Sequence, residues 1–361
     1  MSSLVATAAL AQASGWNAGS VDAILEVLLD PTIWLGAAAG GAFGAALGAL
    51  PAFIFTGFLV IAGVWGGDAA QGVGVGVGFG PVFGPHISFA GGAAAAAYAA
   101  KKGDMESGFD YHNAKDIGFA LGSRPDILAV GAAFGVFGIL LEQVLRNGAI
   151  PTDPIAFTVV ASALLHRLVF GYSVIGTVSD RASGYFDMGP FEREEMRSAG
   201  SVPGDGEKDG ADRLAVEPWL PNMYKWSHVT AIGLVAGLGA AYAAIQTGSP
   251  FLGFGISAAT LLFLNLGVER IPVTHHMTLP AATAYLATAG TGYSPIVALV
   301  IAGLFGVLGA LVGEAFQRVF YAHGDTHVDP PAASIAITHT FIAILSIVGI
   351  LGSAVWVPGA V

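Results

Sequence analysis

GPVFGPHISFAGGAAAAAYAA (80–100) and IPVTHHMTLPAATAYLATAG (271–290) decide how this chain is read, because they state one pattern twice. Each is an apolar stretch broken by Gly, Pro and His. Each is followed by a glycine-patterned apolar helix, FGVFGILLEQVLR (134–146) and FGVLGALVGEAFQR (305–318). Each then has an Asp-Pro that opens another apolar helix, at Asp153-Pro154 and Asp329-Pro330. A duplicated set of spans interrupted by Gly, Pro and His is the sequence sign of a transporter or channel.

Composition sets the class. Of 361 residues, 54% are hydrophobic and only 11% charged, with a mean hydropathy of +0.70. A soluble domain carries about 25% charged residues, so the chain reads as an all-α polytopic membrane protein. Cysteine is absent, which excludes disulfides, zinc–thiolate sites and iron–sulfur clusters. The first 20 residues hold no Lys or Arg, so the basic region of a signal peptide is missing. Residues 1–30 read as an amphipathic segment, with Ile24, Leu25, Val27, Leu28 and Leu29 on the membrane surface.

Ten spans are expected, at about 32–49, 51–66, 80–100, 125–147, 154–176, 226–246, 249–268, 273–290, 295–321 and 331–356. They divide into a first repeat (31–176) and a second (225–361), separated by a loop at 177–224. Five spans per copy make the second copy run the other way through the bilayer, so the expectation is an inverted-topology repeat with interrupted or re-entrant helices. Lys101, Lys102, Lys115, Arg124 and the basic residues of 177–225 would share one side, which the positive-inside bias makes cytoplasmic. Both termini would then be external, in the cell membrane. The pairs Glu142/Arg146 and Glu314/Arg318 each sit four apart on a helix face, the spacing of a salt bridge at a helix end.

The net charge is −11, and 177–224 is an acid-rich segment: Asp180, Asp187, Glu192, Glu194, Glu195, Asp205, Glu207, Asp209, Asp212 and Glu217 stand against only Arg181, Arg193, Arg197, Lys208 and Arg213. Acid-rich, lysine-poor water-facing surface suits a high-salt cytoplasm, as in a halophilic archaeon. A loop of this length could also dock a cytoplasmic partner. Glycines 36, 40, 44 and 48, and Gly233, Gly237 and Ala241, form small-residue ridges that allow close helix approach in lipid, at the centre or in a homo-oligomer.

The residues that could carry chemistry lie where the apolar pattern breaks. The run 71–89 is too rich in Gly and Pro for a regular helix, and its Gly-Val alternation resembles extended backbone. Two helix starts follow, at His86/Ser88 and at His275/His276/Thr278, and would meet near the midplane with free N–H groups. Glu269 precedes the second as a neutralised pair with Arg270 or a gate. His166 and His339 occupy corresponding helices. Asp153 and Asp329 read first as helix N-caps, with Pro in the first turn. Asp325, His327 and Asp329 alternate so that they could converge on a divalent metal ion or relay protons.

The expectation is therefore a transporter or channel for a small solute or ion, with a pathway past His86, Ser88, Asp153, His166, Glu269, His275, His276, Thr278, Asp329 and His339. No enzyme motif survives: GVGVGVGFG contains G-x-G-x-x-G by composition alone, with no βαβ unit around it. Nothing points to nucleic acid. The competing readings are a His-ligated redox or metal protein, in which pairs such as His166/His339 could reach a haem although no His spacing singles haem out, and a non-transporting membrane scaffold. In architecture alone the expectation resembles ammonium and urea channels and several secondary transporters; none of their signature motifs is present.

Overall fold

The computed structural model describes residues 21–66, 74, 76–105, 107, 109–198 and 213–360. Most of the amphipathic stretch expected at 1–30 and the acidic run from Asp205 to Asp212 lie outside the described residues. Among the described residues the fold is all-helical, and pairing between extended segments is confined to one isolated antiparallel bridge, Met196 to Leu214.

Eleven helices of eight residues or more are used below. They are α1 (Val21–Leu29), α2 (Pro31–Leu47), α3 (Ala49–Trp65), α4 (Ser88–Lys101), α5 (Pro125–Asn147), α6 (Pro154–Phe170), α7 (Trp226–Thr247), α8 (Phe251–Asn265), α9 (His275–Ala287), α10 (Pro295–Phe320) and α11 (Pro330–Ile347). Their starts follow local chemistry. Asp30, Asp153, Ser294 and Asp329 each cap a helix through the side chain, with proline in the first turn.

The expectation of ten spans is not met. Among the described residues four helices are long and apolar enough to cross a membrane: α5, α7, α10 and α11. A fifth is reached only if α2 and α3, bent by 118°, count as one broken span. The physical reason is length. The other expected spans are helical but short: α4 has 14 residues, α6 17, α8 15 and α9 13. At about 1.5 Å per residue these cover roughly 20–26 Å, less than the ~30 Å of hydrocarbon in a bilayer. Two expected ends ran too far. Gly171, left-handed at φ 73°, stops α6 before 176, and α11 ends at 347 rather than 356. With four or five spans, the two five-span inverted repeats do not form. What recurs is local packing, described below.

The break between α2 and α3 falls at Gly48, not at Pro51. Its φ of 94° is a conformation only glycine adopts without strain, and a Cβ there would meet the Phe119 carbonyl oxygen at 3.0 Å. The Gly-Val stretch is another correction: its described part is helical at 74 and 76–78 and turns at 79–87, rather than extended.

The glycine ridges are used inside the chain. A Cβ on Gly41 would overlap the Gly131 carbonyl of α5, and one on Gly44 the Ser88 carbonyl of α4. Gly233 and Gly237 of α7 sit against Gly306 of α10 in the same manner. The faces proposed for an oligomer are therefore filled by the protein's own helices.

The outward faces are apolar instead. Leu234, Val235, Leu238 and Tyr242 on α7, and Ile296, Val300 and Leu304 on α10, are all exposed. Exposed apolar surface repeating at three- and four-residue intervals on several long helices is what lipid covers. The protein is a multi-pass membrane protein.

Candidate functional site

α4 and α9 are short helices buried along nearly their whole length, and their first turns face one cavity. Each is locked from behind by a glycine. A Cβ on Gly138 of α5 would overlap the His86 carbonyl, and one on Gly309 of α10 would overlap the His276 carbonyl. Backbone therefore packs on backbone at both places, which fixes the two helix starts.

This packing decides which residue of each motif reaches the cavity. Pro85 and His275 line it; His86 and His276 do not. His86 is 1% exposed and held at α5. His276, also 1% exposed, is held against Gly313 of α10 and packs edge-on against Trp219 at 5.9 Å. The expected meeting of His86 with His276 is thus not what the structure builds. Ser88 and Thr278 are likewise turned to local bonds, donating to the Phe83 and His275 carbonyls.

The cavity has a volume of about 790 Å³, within the ~300–1,000 Å³ of small-molecule sites. Its floor and walls are apolar and aromatic: Phe53, Phe79, Phe89, Phe251, Phe254, Leu261, Ile335 and Trp356. Phe53 and Phe254 enclose the His275 ring at 4.9 and 5.7 Å. Polar groups enter at several points. Asp153, Glu269, His275, His327 and Asp329 line it, together with Asp110, Tyr111, Lys115, Asp116, Arg146 and Tyr321. Exposed Phe109, Asp110, Asn222, Asn265 and Glu269 form its mouth, on the side of the 101–124 loop.

Asp153 and Asp329 do cap α6 and α11. One Asp153 oxygen accepts from the Ile155 and Ala156 amides at 3.0 Å, and Asp329 accepts from Ala332 at 2.8 Å. The second Asp329 oxygen lies 3.2 Å from His327 Nε2. The Nδ1 atoms of His275 and His327, both buried, have no hydrogen-bond partner among the described residues. A buried polar atom left unpaired costs about 1–3 kcal/mol.

Two other candidate histidines do not line this cavity. His166 bonds the Thr326 hydroxyl at 2.9 Å, and the adjacent Arg167 donates to the same hydroxyl and to the Thr326 and Val174 carbonyls. His339 bonds the Ile335 carbonyl and the Thr283 hydroxyl. Asp325, His327 and Asp329 do not converge: Asp325 pairs with Arg213 at 2.7 Å while His327 turns to Asp329. Among the described residues no three His, Asp or Glu side chains are placed to hold a metal ion. That overturns the His-ligated metal or redox reading, and the span count overturns the ten-helix transporter or channel.

An ion cluster that sequence reasoning missed, apart from singling out Asp325, lies beside the mouth. Lys115, wholly buried in the turn Asn113–Lys115, donates to Glu217 at 2.5 Å. Arg213 donates to Glu217 at 2.8 and 3.1 Å, to Asp325 at 2.7 Å and to the Gly324 carbonyl at 2.7 Å. Three loops are joined: 101–124, the end of 177–225, and 321–329. Burial opposes the Glu217 charge, but the Arg213 and Lys115 cations outweigh it and hold the carboxyl at about 2. Burial draws His112 down to about 4. Arg318 ties the same region to α10. It pairs with Glu314 at 2.6 Å and donates to the Phe186 and Tyr224 carbonyls. The corresponding Glu142 and Arg146 also pair, both buried.

No curated protein and no solved structure matches the chain. One family model does, over residues 23–360, nearly the whole length and all of the cavity wall. The chain belongs to that family, DUF7973, described as a family of unknown function.

Proposed function

We propose that this membrane protein binds a small amphipathic molecule in the cavity between its helices. One observation carries the reading: a cavity of about 790 Å³ whose wall is mostly aromatic and aliphatic but includes Asp153, His275, His327 and Asp329. A mostly apolar cavity with a few convergent polar groups is the usual form of a ligand site. Of the residues singled out in the sequence, Asp153, Glu269, His275, His327 and Asp329 are the ones assigned to ligand contact. His86 and His276 position the two helix starts. The reading is of a binding protein rather than an enzyme.

The location proposed is the cell membrane, with the loop 101–124, the end of 177–225 that the Lys115–Glu217 pair holds beside it, and the mouth of the cavity on the cytoplasmic side. The lysines and arginines of 101–124 and 177–225 support it. A homo-oligomer would have to use the outward faces, such as Leu234, Val235, Leu238 and Tyr242, and native mass spectrometry of detergent-purified protein reads its stoichiometry.

The test of binding is calorimetry of purified full-length protein with neutral, cationic and anionic aromatic probes. Saturable binding of at least one probe is expected. It should be lost in Ala332→Phe and in Ala156→Phe, which fill the cavity from α11 and α6. Binding unchanged in both variants, or no probe bound by the unaltered protein, overturns the reading.

A further inference from the structure

The cavity has a shape as well as a volume, and α8 measures it. Phe251, Phe254, Leu261, Leu264 and Asn265 all line it, on one face of that helix, from its first residue to its last. At about 1.5 Å per residue the two ends lie about 21 Å apart. A volume of about 790 Å³ spread over that length has a mean section of about 38 Å², a bore about 7 Å wide. A compact molecule filling the same volume would be about 11 Å across. The chamber is therefore long and narrow.

Its two ends differ in chemistry. At one end Asn265 stands beside Gly118, and the exposed Asp110, Asn222 and Glu269 complete the mouth. At the other end the Phe251 ring packs on Phe79 at 5.3 Å and on Trp356 at 5.5 Å. Charged groups elsewhere in the lining are engaged by the protein itself: Lys115 by Glu217, Arg146 by Glu142, Asp153 by two cap amides, and Asp329 by a cap amide and His327. The rim is a second, independent observation. Phe263, Leu266 and Val268 are exposed, and they alternate with the lining residues Leu264, Asn265 and Gly267. Exposed apolar surface on the end of α8 is what lipid covers, so the mouth adjoins the bilayer.

Resting on the reading of the cavity as a binding site, we infer that its ligand is a lipid-like amphiphile with a single extended hydrocarbon chain. The chain runs along α8 to Phe251 and Trp356, and the polar head stays at the mouth. One leaflet holds about 15 Å of hydrocarbon, half of the ~30 Å core. A bore of about 21 Å is long enough for a whole membrane chain.

Straight-chain primary alcohols from hexanol to octadecanol test this, with adamantan-1-ol as the compact control. Binding of each to the full chain is measured by equilibrium dialysis against protein-free micelles of digitonin, whose rigid ring body is not chain-shaped, and is referred to free alcohol in water. Affinity is expected to rise about fourfold per added methylene until the chain spans the bore, and then to level off. Two variants move the closed end. Ile335 sits there, because its carbonyl holds His339, which packs on Trp356 at 5.0 Å. Ile335→Phe should bring the levelling to a shorter chain, and Phe251→Ala should carry it to a longer one; the second keeps the test decisive if the first does not fold. A rise with length that never levels, or a levelling point in Phe251→Ala identical to that of the unaltered protein, overturns the inference. Saturable binding of adamantan-1-ol with no rise among the alcohols overturns it while the cavity reading stands. Saturable binding of neither class removes the cavity reading, and the inference with it.

Discussion

Glu217→Gln should be among the most damaging single substitutions in this protein, although it changes one oxygen to one nitrogen. Glu217 is wholly buried and accepts from Lys115 and twice from Arg213. Lys115 and Arg213 together are balanced by Glu217 and Asp325, so the cluster is neutral as built. The substitution leaves one excess positive charge at a buried site. Breaking a buried pair by removing one partner costs about 3–5 kcal/mol. A second figure from the carboxyl itself agrees: a pKa held at about 2 instead of 4.5 is worth about 3 kcal/mol at neutral pH. At roughly 2 °C per kcal/mol for a chain of this size, the melting midpoint should fall by roughly 6–10 °C. The assay is intrinsic fluorescence on heating in detergent, with Trp219 two residues away as a nearby reporter. Lys115→Met combined with Glu217→Gln removes both charges and leaves Arg213 with Asp325, so the double variant should recover at least half of the loss. If the double variant melts no higher than Glu217→Gln alone, the damage comes from lost packing and the charge argument is wrong.

Other predictions follow from the same contacts. Glu217 is a depressed acid, so its contribution is fully present above about pH 4.5 and is lost as pH falls toward about 2; near-UV circular dichroism between pH 5 and 3 should show the loop cluster loosening, and Glu217→Gln should flatten that change. Gly309→Ala should cost more than Gly303→Ala, by about 1–3 kcal/mol, because the added Cβ meets the His276 carbonyl in one case and the flexible Leu234 and Leu238 side chains in the other; melting curves of the two variants compare them directly. Asp153→Ala should lose about 1 kcal/mol of stability through the α6 cap, and Asp153→Asn less, again read by melting. The chain lacks cysteine, so single cysteines at Gly122 and at Gly148 can be labelled without background in right-side-out vesicles; only the second should react with an impermeant reagent from outside.

The helices were legible in the sequence and their lengths were not. Asp-Pro marks the starts of α6 and α11 correctly because a cap carboxylate and a first-turn proline act within one turn. The stops depended on tertiary contacts. Residues 171–176 stay apolar after the chain turns at Gly171, and Trp356 stays apolar because it lines the cavity. An apolar run therefore did not equal a span. Motif residues were legible only to within one position: the His86 and His276 pattern found the right helix starts, but packing at Gly138 and Gly309 hands the wall to Pro85 and His275. The cluster of Lys115, Arg213, Glu217 and Asp325 was not legible as a unit: Lys115 and Glu217 are 102 positions apart, Arg213 and Asp325 112, and the alternation around Asp325 pointed to His327 and Asp329 rather than to Arg213. The aromatic wall draws on α3, α4, α8 and the C-terminal segment, and only the fold assembles it.

The same separations set an order of events during synthesis. Lys115 emerges 102 residues before Glu217, which at about 5–20 residues per second is roughly 5–20 s of translation. Arg213 waits a further 112 residues for Asp325. The first helices must enter the membrane with the Lys115 ammonium still in water, and the mouth of the cavity closes into its final form only after Asp325 has been made. The cavity is thus completed late in synthesis, because its wall also needs Ala332, Ile335 and Trp356.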